Sequence, residues 1–322
     1  MKCMSRMVGA LVLAASLAAC EPIDIDDGGG GGGGGNVLFT RGFAFVREDR
    51  NVYVVDDAGD PNSPKRLTTI GGASQPAVSR NGRSVVFVHQ TATGFELQTV
   101  PTDASTGPST VFASGTTACA NCTNFRYPTF SPNGSVIVFA FNRGSGNFAL
   151  GRVNVDGSTF QVLTNQPSTS FGAPSFFPDG QSVLAPSGST STQLSQLSRV
   201  SLTGTVSSIT NDLGNEVLWV VNRAAVSPDG QQVALDGRLS SGGSRIFVGP
   251  LSAPNTISRV TDHPGEPGAQ DTFPIWMNTS QVGFLSNAGG TTNIYRVSVP
   301  ATTVGSGTLL IPSAGDPSYG GP

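Results

Sequence analysis

The chain has 322 residues, 42 of them glycine and 22 proline, with 12% charged residues and a net charge of −3. That much glycine and proline excludes a mainly helical fold, and an acidic balance without a basic patch argues against nucleic acid as a partner. Two histidines and four cysteines offer little material for a metal centre.

Lys2 and Arg6 precede an apolar stretch, Val8 to Ala19, that is short for a membrane-crossing helix. A positive flank, a short apolar run and small residues predict a secretory signal over residues 1–19. Its end, Leu17-Ala18-Ala19-Cys20, resembles the bacterial lipoprotein box. That resemblance implies cleavage before Cys20 and a covalent lipid on its thiol, the one prosthetic group expected. The other reading is an ordinary signal peptide cut after small residues, with Cys20 incidental. Several acyl chains give stable anchoring where one would be marginal. Residues 20–36 then read as a tether: Glu21-Pro22-Ile23-Asp24-Ile25-Asp26-Asp27 is acidic, and Gly28 to Gly35 is unbroken glycine. A coil of that length reaches roughly 20–25 Å. Its aspartates lack the spacing of a calcium loop.

From residue 37 to 322 one phrase repeats. Pro128-Thr129-Phe130-Ser131-Pro132-Asn133-Gly134 returns as Pro174-Ser175-Phe176-Phe177-Pro178-Asp179-Gly180 and as Ala224-Ala225-Val226-Ser227-Pro228-Asp229-Gly230. Worn copies are Pro76-Ala77-Val78-Ser79-Arg80-Asn81-Gly82 and Phe273-Pro274-Ile275-Trp276-Met277-Asn278. The Asn/Asp positions 81, 133, 179, 229 and 278 lie 52, 46, 50 and 49 residues apart, which marks a repeat architecture. In each unit an apolar strand meets a turn in which proline presets φ, Asp or Asn follows, and glycine adopts the left-handed conformation. A second apolar strand follows, such as Val136-Ile137-Val138-Phe139. A third alternates, as in Phe148-Ala149-Leu150-Gly151-Arg152-Val153, and a short fourth ends in Leu163-Thr164, Ile209-Thr210 or Val260-Thr261. Four strands per unit is the pattern of a propeller blade; a β-sandwich has no reason to repeat a phrase at near-constant spacing.

These phrases resemble the TolB-type β-propeller repeat family over residues 37–311. The fold expected is all-β, a six-bladed propeller with blades at 37–69, 75–112, 127–164, 172–210, 222–261 and 271–311. The first blade lacks the turn phrase, so residues 37–40 serve either as its inner strand or as the outer strand of the last blade. The resemblance covers the propeller alone; the α/β domain that precedes the propeller in the family's namesake has no counterpart in residues 20–36.

For chemistry, Cys119-Ala120-Asn121-Cys122 reads as a local disulfide in an exported protein, the other readings being a redox motif, a metal pair or free thiols. No Gly-x-Ser-x-Gly phrase occurs. His89 and His263 meeting in the channel would be needed for a metal-dependent enzyme, and no metal is expected. On topology, inter-blade loops share one face and the Ser-Pro-Asp-Gly turns the other. The longest loops, 113–126, 211–222 and 262–271, make the loop-rich face the expected contact surface. Candidate partner-binding residues there are Arg126, Tyr127, Trp219, Arg223, His263 and Asp271, with Phe171 and Phe273 as either contact or packing residues. The resemblance implies a monomeric, non-enzymatic, membrane-anchored protein of the bacterial cell envelope, periplasmic or at the outer surface, that binds a protein, peptide or glycan. The alternative is a propeller-type polysaccharide lyase or hydrolase with a site in the central channel.

Overall fold

The computed structural model describes residues 39–144, 146–301 and 303–321. The signal sequence, Cys20 and the tether lie outside them. Among the described residues no helix is long and apolar enough to cross a membrane.

Six antiparallel sheets follow one another as blades of a propeller. Their innermost strands are Gly315–Gly320, Ala73–Val78, Thr123–Phe130, the broken pair Ser170–Phe171 and Ser175–Phe176, Val220–Val226, and Asp271–Asn278 for blades one to six. The second strand of each blade is buried on both faces because blades flank it on either side. In Val136–Asn142, Ile137, Phe139 and Phe141 pack toward blade two. Val136, Val138 and Ala140 of the same strand pack toward blade four. This explains why the second strands read as continuous apolar runs and not as alternation. Six apolar clusters result, one in each gap between neighbouring blades, so the core is a ring of interfaces.

The repeated phrase forms the hairpin turns the sequence predicts. Gly82, Gly134, Gly180 and Gly230 have φ of +67° to +74°. Each donates its N–H to the carbonyl three residues back, at 2.8–3.0 Å. The Asn or Asp side chain caps the turn by accepting the N–H two residues on, as in Arg83 to Asn81 at 3.0 Å and Gln231 to Asp229 at 3.1 Å. The terminal threonines have an equally local purpose. Thr68, Thr164 and Thr261 are buried, and their hydroxyls accept the N–H groups of Val52, Leu150 and Ile246 at 3.0, 2.9 and 3.0 Å. The hydroxyl thus satisfies a third-strand amide that a two-residue fourth strand leaves without a ladder partner.

Ring closure differs from expectation. Neither role proposed for residues 37–40 is found: residues 39 and 40 are outside any strand, and 37 and 38 lie outside the described residues. The inner strand of blade one is Gly315–Gly320, which pairs antiparallel with Gly42–Val46. The last strand of the chain therefore clasps the first. Phe43 meets Tyr319 edge-on with ring centroids 5.0 Å apart, and the Tyr319 hydroxyl donates to Asp57 Oδ2 at 2.6 Å. Gly-Asp-Pro-Ser-Tyr-Gly has no apolar alternation, because its partners are supplied by sequence 270 residues away.

Candidate functional site

Five of the six inner strands lose register partway along, and the fourth is broken there. At these bulges Gln75, Tyr127, Phe273 and Asp316 have φ of 51°, 54°, 54° and 49°. A non-glycine residue in that region costs about 1–3 kcal/mol and persists only where its surroundings dictate it. What dictates it is a belt of hydrogen bonds around the channel. The Gln75 N–H donates to Asp316 Oδ2 at 3.0 Å, and the Tyr127 N–H to Gln75 Oε1 at 2.9 Å. Asp236 takes the remaining bulge amides: Asn222 and Arg223 donate their N–H groups to Oδ1 at 2.9 Å, and Phe273 donates its own to Oδ2 at 3.1 Å. The Asn222 side-chain amide adds a bond to Oδ2 at 3.2 Å. These bonds join blades one, two and three in one arc and blades five and six in another.

Across the axis, Tyr127 of blade three lies 6.1 Å from Phe273 of blade six by ring centroid. The Tyr127 hydroxyl donates to Asn222 Oδ1 of blade five at 3.3 Å. Side chains of opposite blades thus meet in the bore. On the turn side of this waist opens a funnel of about 510 Å³, floored in part by Arg223 and walled by Phe176, Trp276, Tyr319 and the prolines of the repeated phrase. The Trp276 Nε1–H donates to the Ala225 carbonyl at 3.0 Å, which fixes the indole between blades five and six.

The charges at the waist feel their burial. Burial pushes the Asp236 carboxyl up to about 6, against the backbone N–H bonds that favour its ionised form. Burial also raises Asp316, again opposed by its backbone hydrogen bond. Arg223 is pushed down by burial and held up by Asp236, Tyr127 and Asp316. Its Nε is buried without a hydrogen-bond partner, and its guanidinium lies 5.8 Å from the Phe273 ring centre.

Of the residues chosen from sequence, Tyr127, Arg223 and Phe273 come together here, at the waist and funnel floor. The others lie elsewhere. Arg126 stacks over Phe148 at 4.6 Å and donates from Nε to Asn124 at 3.2 Å, within its own blade. Trp219 is half-buried ahead of the fifth inner strand, and its carbonyl accepts the Arg238 N–H at 2.9 Å. Phe171 is buried in the core between blades three and four. His89 stays on blade two, with Nδ1 3.1 Å from the Gln98 amide nitrogen.

His263 and Asp271 meet one another, together with Ser286, in a buried cluster of blade six. His263 Nε2 lies 2.8 Å from Asp271 Oδ1, and Ser286 Oγ donates to the same oxygen at 2.7 Å. Nucleophilic catalysis needs the imidazole to bridge serine and carboxylate through its two nitrogens. Here one nitrogen faces both, and the serine proton goes to the carboxylate, so the cluster ties the 262–271 loop to its blade. Buried Arg245 holds the same loop, donating to the carbonyls of Ala269 at 2.6 Å and Glu266 at 3.3 Å. The long loop is therefore held in place, and the funnel described above opens on the turn face. Among the described residues no three His, Cys, Asp or Glu side chains gather as a metal ligand set.

Cys119 and Cys122 are buried among Phe112, Phe125 and Phe139, with Cα atoms 5.1 Å apart, a spacing that a disulfide spans. Intact-mass measurement without reductant is expected to find the chain two hydrogens lighter than its dithiol form; alkylation of both thiols before reduction would contradict that.

No protein-family model and no curated protein matches the sequence. Solved structures do match the fold. TolB from Acinetobacter baumannii superposes with a TM-score of 0.63 at 15% identity, covering 88% of this chain and 67% of that one. A putative TolB from Agrobacterium tumefaciens gives 0.57 at 16% identity, covering 87% and 92%. The fold is that of a TolB-like β-propeller. An oligogalacturonate lyase from Vibrio parahaemolyticus matches this propeller too, with a TM-score of 0.55 at 15% identity over 80% of this chain and 74% of the lyase. At such identities the likeness speaks for architecture.

Asp236, Asp316, Gln75 and Asn222 escaped the sequence reading. The one available signal was Asp236, a lone carboxylate inside the otherwise apolar Val233-Ala234-Leu235-Asp236. Asp316 sits in a tail that no repeat unit claimed.

Proposed function

We propose that this TolB-like propeller is a lipid-anchored, non-enzymatic binding protein of the bacterial cell envelope, held by Cys20 and taking a protein, peptide or glycan partner. The observation that carries the reading is the waist, where side chains of opposite blades meet across the channel. On its turn side opens a funnel of about 510 Å³, the form of a socket. Tryptophan, tyrosine, phenylalanine and arginine on its wall are the residue types that anchor protein interfaces. Two buried carboxylates at the waist, Asp236 and Asp316, already accept backbone N–H groups and hold blades together, and Asp57 beside the wall is engaged by Arg41 and Tyr319. That supports binding over lyase chemistry, which needs a proton-transfer pair facing the substrate. The lipoprotein box and the glycine-rich tether supply the membrane attachment.

Detergent-phase partitioning with affinity capture tests both halves. The wild-type chain is expected in the detergent phase and Cys20→Ser in the aqueous phase. Tagged protein should recover a discrete envelope component from solubilised membranes. Continued detergent partitioning of Cys20→Ser would remove the anchor. Release of cleaved glycan fragments by the purified chain would replace the binding role with an enzymatic one.

A further inference from the structure

The funnel wall carries a charge pattern that the fold does not require. Arg41, Arg80 and Arg223 line it, with no Asp, Glu, Lys or His among the described lining residues, although the chain as a whole carries −3. A concave wall of one sign concentrates ligands of the other.

Arg80 stands where the repeated phrase has proline. The turn closes without that proline: the Gly82 N–H reaches the Ser79 carbonyl at 2.9 Å, and Ser79 Oγ donates to Asn81 Oδ1 at 2.8 Å. The hairpin therefore gives no reason for an arginine, which projects exposed at the funnel rim. Arg223 lies at the other end, on the floor. Among the described residues it forms no ion pair, and its Nε has no hydrogen-bond partner. Asp236 and Asp316 attract it from behind, yet neither lines the funnel, and their oxygens face backbone donors. Arg41 is engaged by Asp57 at 3.0 Å and contributes less.

Between these cations the wall mixes proline and aromatic faces with Ser, Thr and Asn side chains, and three of its hydroxyl oxygens already accept hydrogen bonds. Ser175 Oγ takes the Val226 N–H at 3.0 Å, Ser227 Oγ the Gln232 N–H at 2.9 Å, and Ser318 Oγ the Val78 N–H at 3.1 Å. A glycan hydroxyl that meets one of these engaged oxygens or an apolar ring face pays a desolvation cost. A peptide with a few carboxylates among apolar side chains finds both of its needs met: a guanidinium fork for carboxylate and ring faces for hydrocarbon.

We infer that the funnel binds an acidic, apolar-flanked peptide segment of a partner protein, its carboxylates held by Arg223 at the floor and Arg80 at the rim. This deepens the binding reading above and rests on it.

Fluorescence anisotropy of the full chain in detergent, with labelled ten-residue peptides alternating Asp or Glu with Ile or Phe, tests the site. The control peptides carry Asn or Gln in place of each acid. The acidic peptides are expected to bind about tenfold tighter than the amide set, with the margin shrinking as salt rises. Arg223→Glu and Arg80→Glu should each remove about tenfold, and Arg223→Lys less, because lysine keeps the charge and loses the fork. Arg80 is exposed, so its variant should melt like the wild type and keep the test decisive if Arg223→Glu fails to fold. Equal binding of acidic and amide peptides would overturn the assignment, as would tighter binding of an acidic oligosaccharide. An envelope partner captured equally by the wild type and both glutamate variants would also overturn it, while leaving the binding role itself intact.

Discussion

Deletion of residues 313–322 is expected to abolish cooperative folding, although it removes a tail with no repeat phrase and little apolar content. The segment holds the inner strand of blade one, Gly315–Gly320. Without it, the ladder groups of Gly42–Val46 that face it lose their partners, while those facing Val52–Asp56 keep theirs, and Val78 and Gln75 lose the side chains of Ser318 and Asp316 that accept their N–H groups. Tyr319 leaves the packing against Phe43 and its bond to Asp57, where burial and that hydrogen bond push its phenol well above the usual range. Each buried backbone group left unsatisfied costs about 1–3 kcal/mol. Several together match the 5–15 kcal/mol that typically holds a domain folded. Urea denaturation followed by circular dichroism should show a broad transition at low denaturant in place of a sharp one. Superimposable curves for the deletion and the wild type would show that the ring closes some other way.

Asp236→Ala should be the most damaging single substitution at the waist. Three backbone N–H groups from two blades, and one side-chain amide, converge on this carboxylate. Leaving three buried donors unpaired predicts a loss of at least about 3 kcal/mol, read as a shift in the urea midpoint. Asp236→Asn keeps the shape and puts a donor where Oδ2 accepted, so an intermediate loss is expected. The two variants also separate by pH. The folded-state pKa of about 6 lies above the ordinary value of 3.8, so between those values the folded chain holds the proton more than the unfolded chain does. Stability contributed by this group therefore falls as pH rises through that window and is level above it. Asp316, raised by burial, acts in the same sense. Aspartates held below the ordinary value, such as Asp49 and Asp262, act at lower pH and in the opposite sense. Asp236→Asn should show a shallower decline from pH 4 to pH 6 than the wild type. An unchanged slope would mean that Asp236 is ionised throughout this range.

Much of this architecture was legible because it is written locally. The Ser-Pro-Asp-Gly turn closes through its own Asn or Asp side chain and a left-handed glycine, all within four residues. The terminal threonine caps an amide only 14–16 residues away. A continuous apolar second strand announces neighbours on both faces before any neighbour is known. The site was legible in part. Tyr127, Arg223 and Phe273 were singled out because aromatic residues and arginine stood near the start of inner strands. The structure brings these three together, while Arg126, Trp219, His263 and Asp271 are engaged within their own blades and loops. Loop length does not tell whether a loop is free, since a long loop can be tied down from within, as Arg245 and the His263–Asp271–Ser286 cluster tie residues 262–271.

The sequence alone determined the repeat, the number of blades and the chemistry of each turn, since all three depend on contacts inside one unit of about fifty residues. Only the tertiary structure decided how the ring closes, where side chains meet across the bore and which residues line the funnel beside it. Those depend on groups from opposite blades or opposite ends of the chain: a tail strand against the first hairpin, an aspartate of blade five against an amide of blade six, two rings meeting across an axis. Such pairs have no fixed spacing and no local signature, because what selects them is closure of the ring.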